Sequence, residues 1–121
     1  MSISPVHILK LSPGDDFIAK IKAFVEEKGW QEAYLQGAIG SVIGVVLTNA
    51  AGNTLPPPVQ ATEVDGPFEM LSCTGEIIRQ EQGYYTHIHI SGSKTDATAL
   101  GGGLRQANVF RQMKIYIQQV A

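Results

Sequence analysis

The feature that most restricts the fold of this chain is one amphipathic helix near its start, after which no second helical pattern follows. The apolar stripe of this helix recurs at helical spacing and comprises Phe17, Ile18, Ile21, Phe24 and Val25. We expect Ser12 to cap the helix, with Pro13 at its first position, Asp15 and Asp16 in its first turn, and Gly29 at its end. The pattern is typical of a helix that covers one face of a sheet.

The chain after Trp30 consists of short runs rich in β-branched and aromatic residues, separated by glycine, proline or asparagine. Residues 3–11 predict a first strand, and residues 32–49 predict two strands that meet at a bend or bulge near Gly40. Residues 54–67 include three consecutive prolines and predict a polar loop. Later runs complete about six to eight strands. The sequence therefore predicts a single α+β domain over residues 1–121, with mostly antiparallel pairing.

Composition argues against two kinds of partner. With 9 basic and 11 acidic residues among 121, and a formal net charge of -2, the chain lacks the clustered cations that bind phosphate. The longest apolar run, residues 42–47, is too short to span a bilayer, and residues 1–16 lack the pattern of a secretion signal. The only cysteine, Cys73, cannot form an internal disulfide and is expected to be buried in a strand. We therefore expect a cytoplasmic protein with no membrane partner.

Two histidines, His87 and His89, occupy alternate positions of a predicted strand. Alternate residues of a strand share a face at a spacing of about 6.5 Å, so both imidazoles and Tyr85 project together. Two imidazoles at this spacing can share a metal ion, but a zinc site needs three or four protein ligands. The candidates for a further ligand are His7, Glu69, Cys73, Glu76 and Asp96, and the spacing selects none of them. The alternative is that both histidines are polar residues on the solvated face of a half-buried strand.

Three consecutive glycines at residues 101–103 suggest a phosphate-binding loop, but the Gly-Lys-Ser/Thr ending is missing, and a tight bend or bulge accounts for them better. Arg105 would pair with a ligand carboxylate if this bend bordered a cleft, and otherwise it is a solvated or salt-bridged arginine. Glu69 lies in an otherwise apolar strand, on the predicted face of Leu71 and Cys73. A buried Glu69 would be a candidate general acid or base, whereas at an exposed edge it would have no such role.

The order of five segments resembles the PPC domain family (plants and prokaryotes conserved, also called DUF296) over nearly the whole chain. The segments are LSPGDDFIAKIKAFVEEKGW, GAIGSV, GPFEMLSCTGEI, THIHISGS and LGGGL, of which the block FEMLSCTGEI is the most specific. The resemblance implies a strongly bent, mostly antiparallel, barrel-like sheet with one main helix packed on it. It also implies a homotrimer, and a fold similar to the alpha-acetolactate decarboxylases, which are zinc enzymes.

One position departs from the pattern of the prokaryotic members, which often carry HxH followed by GGHL. His87 and His89 match the first two histidines, but Gly103 stands where the resemblance implies the third. The resemblance therefore implies a degenerate metal site, with zinc as the candidate ion and two of its three imidazoles present. Loss of one ligand should weaken metal binding severely unless another residue or a neighbouring subunit replaces it.

Three functions remain open. We favour a noncatalytic oligomeric binding module for a small ligand or a regulatory partner, with a candidate cleft comprising Glu69, Tyr85, His87, His89, Gly103 and Arg105. The second is a metal-dependent lyase resembling acetolactate decarboxylase, in which His87 and His89 bind the metal and Glu69 or Arg105 assists. The third is DNA binding by family association. Plant members of the family bind DNA through separate AT-hook segments centred on RGRP, and no such segment occurs in these 121 residues.

Overall fold

The computed structural model describes residues 4–121. In these residues one strand, β1, is followed by one helix, α1, and then by five strands, β2 to β6. Their bounds are β1 (Val6–Leu11), α1 (Phe17–Lys28), β2 (Glu32–Ala50), β3 (Val59–Glu63), β4 (Phe68–Gln80), β5 (Gly83–Ser93) and β6 (Ala99–Gln119). Ile3, the first residue of the predicted first strand, lies outside the described residues. Within residues 4–121, no helix is long and apolar enough to cross a membrane.

The helix α1 has the predicted apolar face, with Phe17, Ile21 and Val25 fully buried. It ends as predicted at Gly29, which adopts a left-handed conformation at φ 69°. Its start was predicted wrongly, because the N-cap is Asp16, whose carboxylate accepts a hydrogen bond from the amide of Ala19 at 3.0 Å. The segment before it forms a separate turn instead of the first helical turn.

The six strands form one antiparallel sheet in the order β1, β6, β5, β4, β2, β3, and the long strands β2 and β6 also pair with each other. This additional pairing closes β2, β4, β5 and β6 into a ring of hydrogen bonds. β1 and β3 extend the sheet beyond the ring, on β6 and on β2 respectively. The resemblance therefore predicted the strongly bent α+β architecture correctly.

Two predictions about the strands need correction. Residues 32–49 form one continuous strand instead of two, because the register shifts next to Gly40 bend β2 without interrupting it. Residues 59–63, predicted to belong to a loop, form β3 on the edge of β2. All five residues of β3 are exposed, so this strand has no alternation of buried and exposed side chains.

A register shift in β4 changes the face assigned to Glu69. Between Met70 and Ser72 the strand carries an extra residue, so that Leu71 and Ser72 are both exposed and Cys73 points inward. Glu69 is exposed and does not share a face with Cys73, contrary to the prediction. Cys73 is buried as predicted, and burial raises the pKa of its thiol to about 12.

The core fills the interior of the ring and the space between the ring and α1. It includes side chains of the two longest strands, namely Val42, Val45 and Leu47 of β2 and Ile115 and Ile117 of β6. These side chains are buried within the single chain. They therefore stabilise the fold of the single chain.

Candidate functional site

The imidazoles of His87 and His89 lie on the outer face of β5, next to each other and exposed. Their ring centroids are 4.8 Å apart, their planes are nearly perpendicular, and their Nε2 atoms are 3.1 Å apart. The alternating residues Ile88 and Ile90 are buried in the core, which fixes the direction of the histidines. The predicted shared face is confirmed, and the Nε2 atoms of both rings converge.

A carboxylate lies beside one of these rings. Glu76 of β4 is the cross-strand partner of His87, and its Oε1 lies 3.8 Å from Nδ1 of that ring. The Nε2 atoms of His87 and His89 are within hydrogen-bonding distance of each other, and the tautomers of the two rings decide which atom donates. Both side chains of the Glu76–His87 pair are about half exposed, and the pair therefore contributes little to stability.

The two histidines separate two depressions of the surface. The larger, of about 430 Å³, is lined by His87, His89, Thr48 and Gly103 among others. The smaller, of about 200 Å³, is lined by the same histidines with Tyr34, Thr74 and Glu76. Tyr85, 45% exposed, continues the outer face of β5 with its ring 6.2 Å from that of His87. We call the larger depression the histidine cleft.

Gly103 borders the histidine cleft at the position that the resemblance assigns to a third ligand. It is the direct cross-strand partner of His89 on one side and of Thr48 on the other. The pairing of β5 with β6 runs without interruption from His89–Gly103 to Ser93–Ala99. The strand geometry at this position is therefore regular, and what is missing there is a side chain.

The Nε2 atoms of His87 and His89 fit two of the four ligand positions around a tetrahedral zinc ion. Two imidazole nitrogens bound to a tetrahedral ion at about 2.0–2.1 Å lie about 3.3 Å from each other, close to the 3.1 Å between the two Nε2 atoms. Metal-binding histidines commonly have a carboxylate beside the ring nitrogen that does not bind the metal, and Glu76 lies on this side of His87, next to Nδ1. Among residues 4–121, however, no three His, Cys, Asp or Glu side chains are placed to hold a metal ion. The residues fit part of a zinc site and not a complete one.

The other candidate ligands lie elsewhere. His7 packs against the rings of Phe24 and Trp30, with centroid distances of 6.0 and 5.1 Å. Cys73 faces the core. Asp96 lies in the turn between β5 and β6, where its carboxylate accepts a hydrogen bond from the amide of Thr98 that lowers its pKa. Of the five candidates only Glu76 comes near the histidines.

Glu69 and Arg105, both assigned to the ligand cleft, do not border the histidine cleft. Arg105 lines a depression at the start of α1 together with Asp16 and Lys22. The reason is a register shift between β2 and β6. The consecutive residues Val46 and Leu47 of β2 pair with Gln106 and Leu104 of β6, so Arg105 is an extra residue without a partner in β2. Glu69 lines a third region, with Ser41, Phe110 and Arg111.

Sequence reasoning missed two features of these surfaces. It did not place Thr48 beside Gly103, because β2 and β6 pair across more than fifty residues of sequence. It also missed the cleft at Phe110 and Arg111, although the sequence contains a signal: Arg111 interrupts an alternating apolar series that runs from Val109 to Met113 and Ile115. Such a break in a strand indicates a bulge.

Comparison with known proteins gives one family and several relatives. The model of the Plants and Prokaryotes Conserved (PCC) domain matches residues 1–121. The AT-hook motif nuclear-localized protein 14 of Arabidopsis thaliana is 31% identical over 101 residues, which are 81% of this chain and 23% of the plant protein. The chain thus spans less than a quarter of the length of this plant relative.

Several solved structures are similar over 99% of this chain. A metal-containing protein from Archaeoglobus fulgidus is 28% identical, with a TM-score of 0.86 and 82% of that chain covered. A plant- and prokaryote-conserved protein from Pyrococcus horikoshii has the same TM-score of 0.86 at 19% identity, with 81% of that chain covered. At this lower identity the likeness concerns the fold alone.

Proposed function

The chain belongs to the Plants and Prokaryotes Conserved domain family, and we propose that residues 1–121 form a single domain that acts as a noncatalytic, oligomeric binding module. Its ligand is a small molecule bound in the histidine cleft by the imidazoles of His87 and His89, beside Gly103, with Tyr85 next to the cleft on the outer face of β5. The free, buried Cys73 is compatible with a reducing cytoplasm as the place of action.

The observation that carries this proposal is the incomplete ligand set. His87 and His89 converge on one point, but their neighbour across the sheet is Gly103, and the nearby carboxylate of Glu76 faces Nδ1 of His87 instead of that point. Two convergent imidazoles suit recognition of a polar group that replaces the hydrogen bond between their Nε2 atoms. They do not suffice for the three-ligand centre of a zinc enzyme.

Histidine ring signals in NMR spectra test the binding function. The chain has three histidines, and His7, which packs against Trp30, is the internal control. In a screen of small polar and anionic compounds, we expect at least one to shift the ring signals of His87 and His89 and to leave His7 unchanged. A screen in which the signals of His87 and His89 never move more than that of His7 would contradict the proposal.

The same module is proposed to be a homotrimer. Support comes from large apolar side chains exposed on the single chain, including Ile39 at 65% and Leu71 at 59%. A threefold assembly would cover such side chains and place clefts between subunits. Sedimentation velocity at micromolar concentration is expected to give a single trimeric species, and a species of monomer mass at every concentration would refute the trimer.

A zinc-dependent lyase is the second candidate, because a structural relative with 28% identity is described as metal-containing. In that case a zinc ion would be held by His87 and His89 and would supply Lewis-acid chemistry, while this chain or a neighbouring subunit supplies the third ligand. Glu69 and Arg105, once expected to assist, are not near the histidines. Metal analysis distinguishes the two candidates: one zinc per chain, lost in His87→Ala, would favour the enzyme.

DNA binding is the third candidate, since the plant relative is named for its AT-hook motif. The matched segment is 23% of that protein, and this chain carries a net charge of -2. We therefore expect the chain by itself to bind duplex DNA weakly and without sequence preference. Fluorescence anisotropy with A·T-rich and G·C-rich duplexes at physiological salt checks this, and tight, sequence-selective binding would assign DNA recognition to the domain itself.

A further inference from the structure

A second cleft lies on the outside of the ring, away from the histidine cleft. It consists of two adjoining depressions of about 520 and 280 Å³ that share Ser41, Glu69, Phe110 and Arg111. Lys94 lines the smaller of the two. Ser41 lies at the floor and is the one buried polar residue of the part of the chain that the structure describes. The combined size falls in the usual range of small-molecule sites, about 300–1,000 Å³.

A bulge of β6 builds this cleft. Gly40 pairs with Met113 and Val42 pairs with Val109, so residues 110–112 stand opposite the single residue Ser41. All three bulged residues are exposed. Gly40 has φ +149°, and a Cβ there would lie 2.0 Å from the carbonyl oxygen of Gln112, so only glycine allows the bulge to pass this close. Bulges commonly re-aim side chains at functional sites, and this one turns Phe110 and Arg111 into the cleft.

Opposite charges flank the floor of the cleft. Glu69 of β4 pairs directly with Ser41 of β2, while Arg111 belongs to the bulge of β6 on the other side of Ser41. Because neighbouring strands lie about 4.8 Å apart, the two backbones are separated by about 10 Å. Among the described residues, neither Arg111 nor Lys94 forms an ion pair with Glu69. A carboxylate and a guanidinium therefore face a common space without neutralising each other.

We propose that this cleft binds a small zwitterion of the amino-acid class that carries an apolar side group. The guanidinium of Arg111 receives the ligand carboxylate, for which its planar donors are suited. The carboxylate of Glu69 receives the ligand ammonium, and the ring of Phe110, 40% exposed, packs against the apolar group. The site is independent of the histidines and of any metal.

Three compounds that share a phenyl group on a short carbon chain separate the contributions of the ligand's two charges to binding. Phenylalanine carries both charges, 3-phenylpropionate carries only the carboxylate and phenethylamine only the ammonium. Isothermal titration of the full chain is expected to show phenylalanine binding about tenfold more tightly than either of the others, since each lacks one charge-assisted contact. Phenylalanine binding is also expected to survive in His87→Ala, which separates this site from the histidine cleft.

Charge-neutral variants identify the residues. Arg111→Gln and Glu69→Gln should each weaken phenylalanine binding about tenfold. The matched controls Arg105→Gln and Glu81→Gln change residues that are also exposed but lie outside the cleft, and they should leave phenylalanine binding unchanged. The proposal is overturned if none of the probes binds, as would occur if another copy of the chain covered the cleft. It is equally overturned if 3-phenylpropionate binds as tightly as phenylalanine, or if neither Arg111→Gln nor Glu69→Gln weakens binding.

Discussion

Replacing Gly103 by histidine tests whether the histidine cleft is a metal-site scaffold that lacks one ligand. Gly103 is directly opposite His89, and directly opposed Cβ atoms of an antiparallel pair lie about 4.5–5.5 Å apart. The φ angle of Gly103 is not positive, so a histidine there causes no backbone strain. An imidazole at this position would therefore reach the point on which His87 and His89 converge.

The expected gain in zinc affinity outweighs the steric cost. A Cβ at Gly103 would lie 2.8 Å from Oγ1 of Thr48, which must move. That hydroxyl donates only a long hydrogen bond of 3.4 Å to the carbonyl of Gly103, so its rotation costs about 1 kcal/mol. Groups that merely orient metal ligands change affinity by about 10–100-fold, so a new ligand should contribute about 100-fold, or about 2.7 kcal/mol.

Zinc titration against a chromophoric chelator measures this difference. We expect Gly103→His to bind zinc about 100-fold more tightly than the parent chain, and Thr48→Ala/Gly103→His to bind at least as tightly, since the obstructing hydroxyl is gone. Gly103→Asn, which adds a side chain of similar polarity without an imidazole, is the matched control. If the parent, Gly103→Asn and Gly103→His fold alike and bind zinc equally weakly, the cleft is an ordinary strand surface and the reasoning is refuted.

Three further predictions concern stability. Gly92→Ala would place a Cβ 2.3 Å from the buried ring of Phe68 and should lower the free energy of unfolding by about 2–3 kcal/mol. The control Gly37→Ala meets no atom within 4 Å, and equal urea midpoints for the two variants would contradict the prediction. Burial raises the pKa of Cys73 from 9.0 to about 12, so above pH 9 the unfolded chain holds fewer protons than the folded one. Unfolding free energy should fall between pH 9 and 12 by up to about 1.4 kcal/mol per pH unit, a slope that Cys73→Ala should lack. Asp16→Ala removes the N-cap and should cost about 1 kcal/mol in thermal or urea unfolding, and an unchanged stability would argue against the cap.

Local patterns predicted the elements of this fold well where one face is buried. The apolar stripe and Gly29 predicted the body and the end of α1, because both depend on neighbouring residues alone. The start of the helix was missed, since the amide of Ser12 donates to the carboxylate of Asp15 and closes a turn that the sequence pattern does not distinguish from a first helical turn. β3 was missed because none of its side chains is buried.

The same distinction applies to the candidate site. His87 and His89 share a face because of strand alternation, a property of β5 itself, and this was predictable. The location of Arg105 depends on a register shift between β2 and β6, which are paired over a long sequence separation, and no local pattern reports it. Glu76, one of five candidate ligands, is near His87 because β4 and β5 pair in that register. Choosing Glu76 among the five candidates requires the register in which β4 pairs with β5.

The closed ring explains why shifts of register produce exposed sites. Each strand of the ring is paired on both sides, so an extra residue in one strand bulges out of the ladder while the inward side chains keep the core filled. Leu71, Arg105 and residues 110–112 occupy such positions, and all of them are exposed. His89 and Gly103 lie instead in an unshifted ladder. A ligand can therefore be lost or restored at Gly103 without altering the pairing that orients His87 and His89, whereas the second cleft, at Phe110 and Arg111, depends on the bulge that passes Gly40.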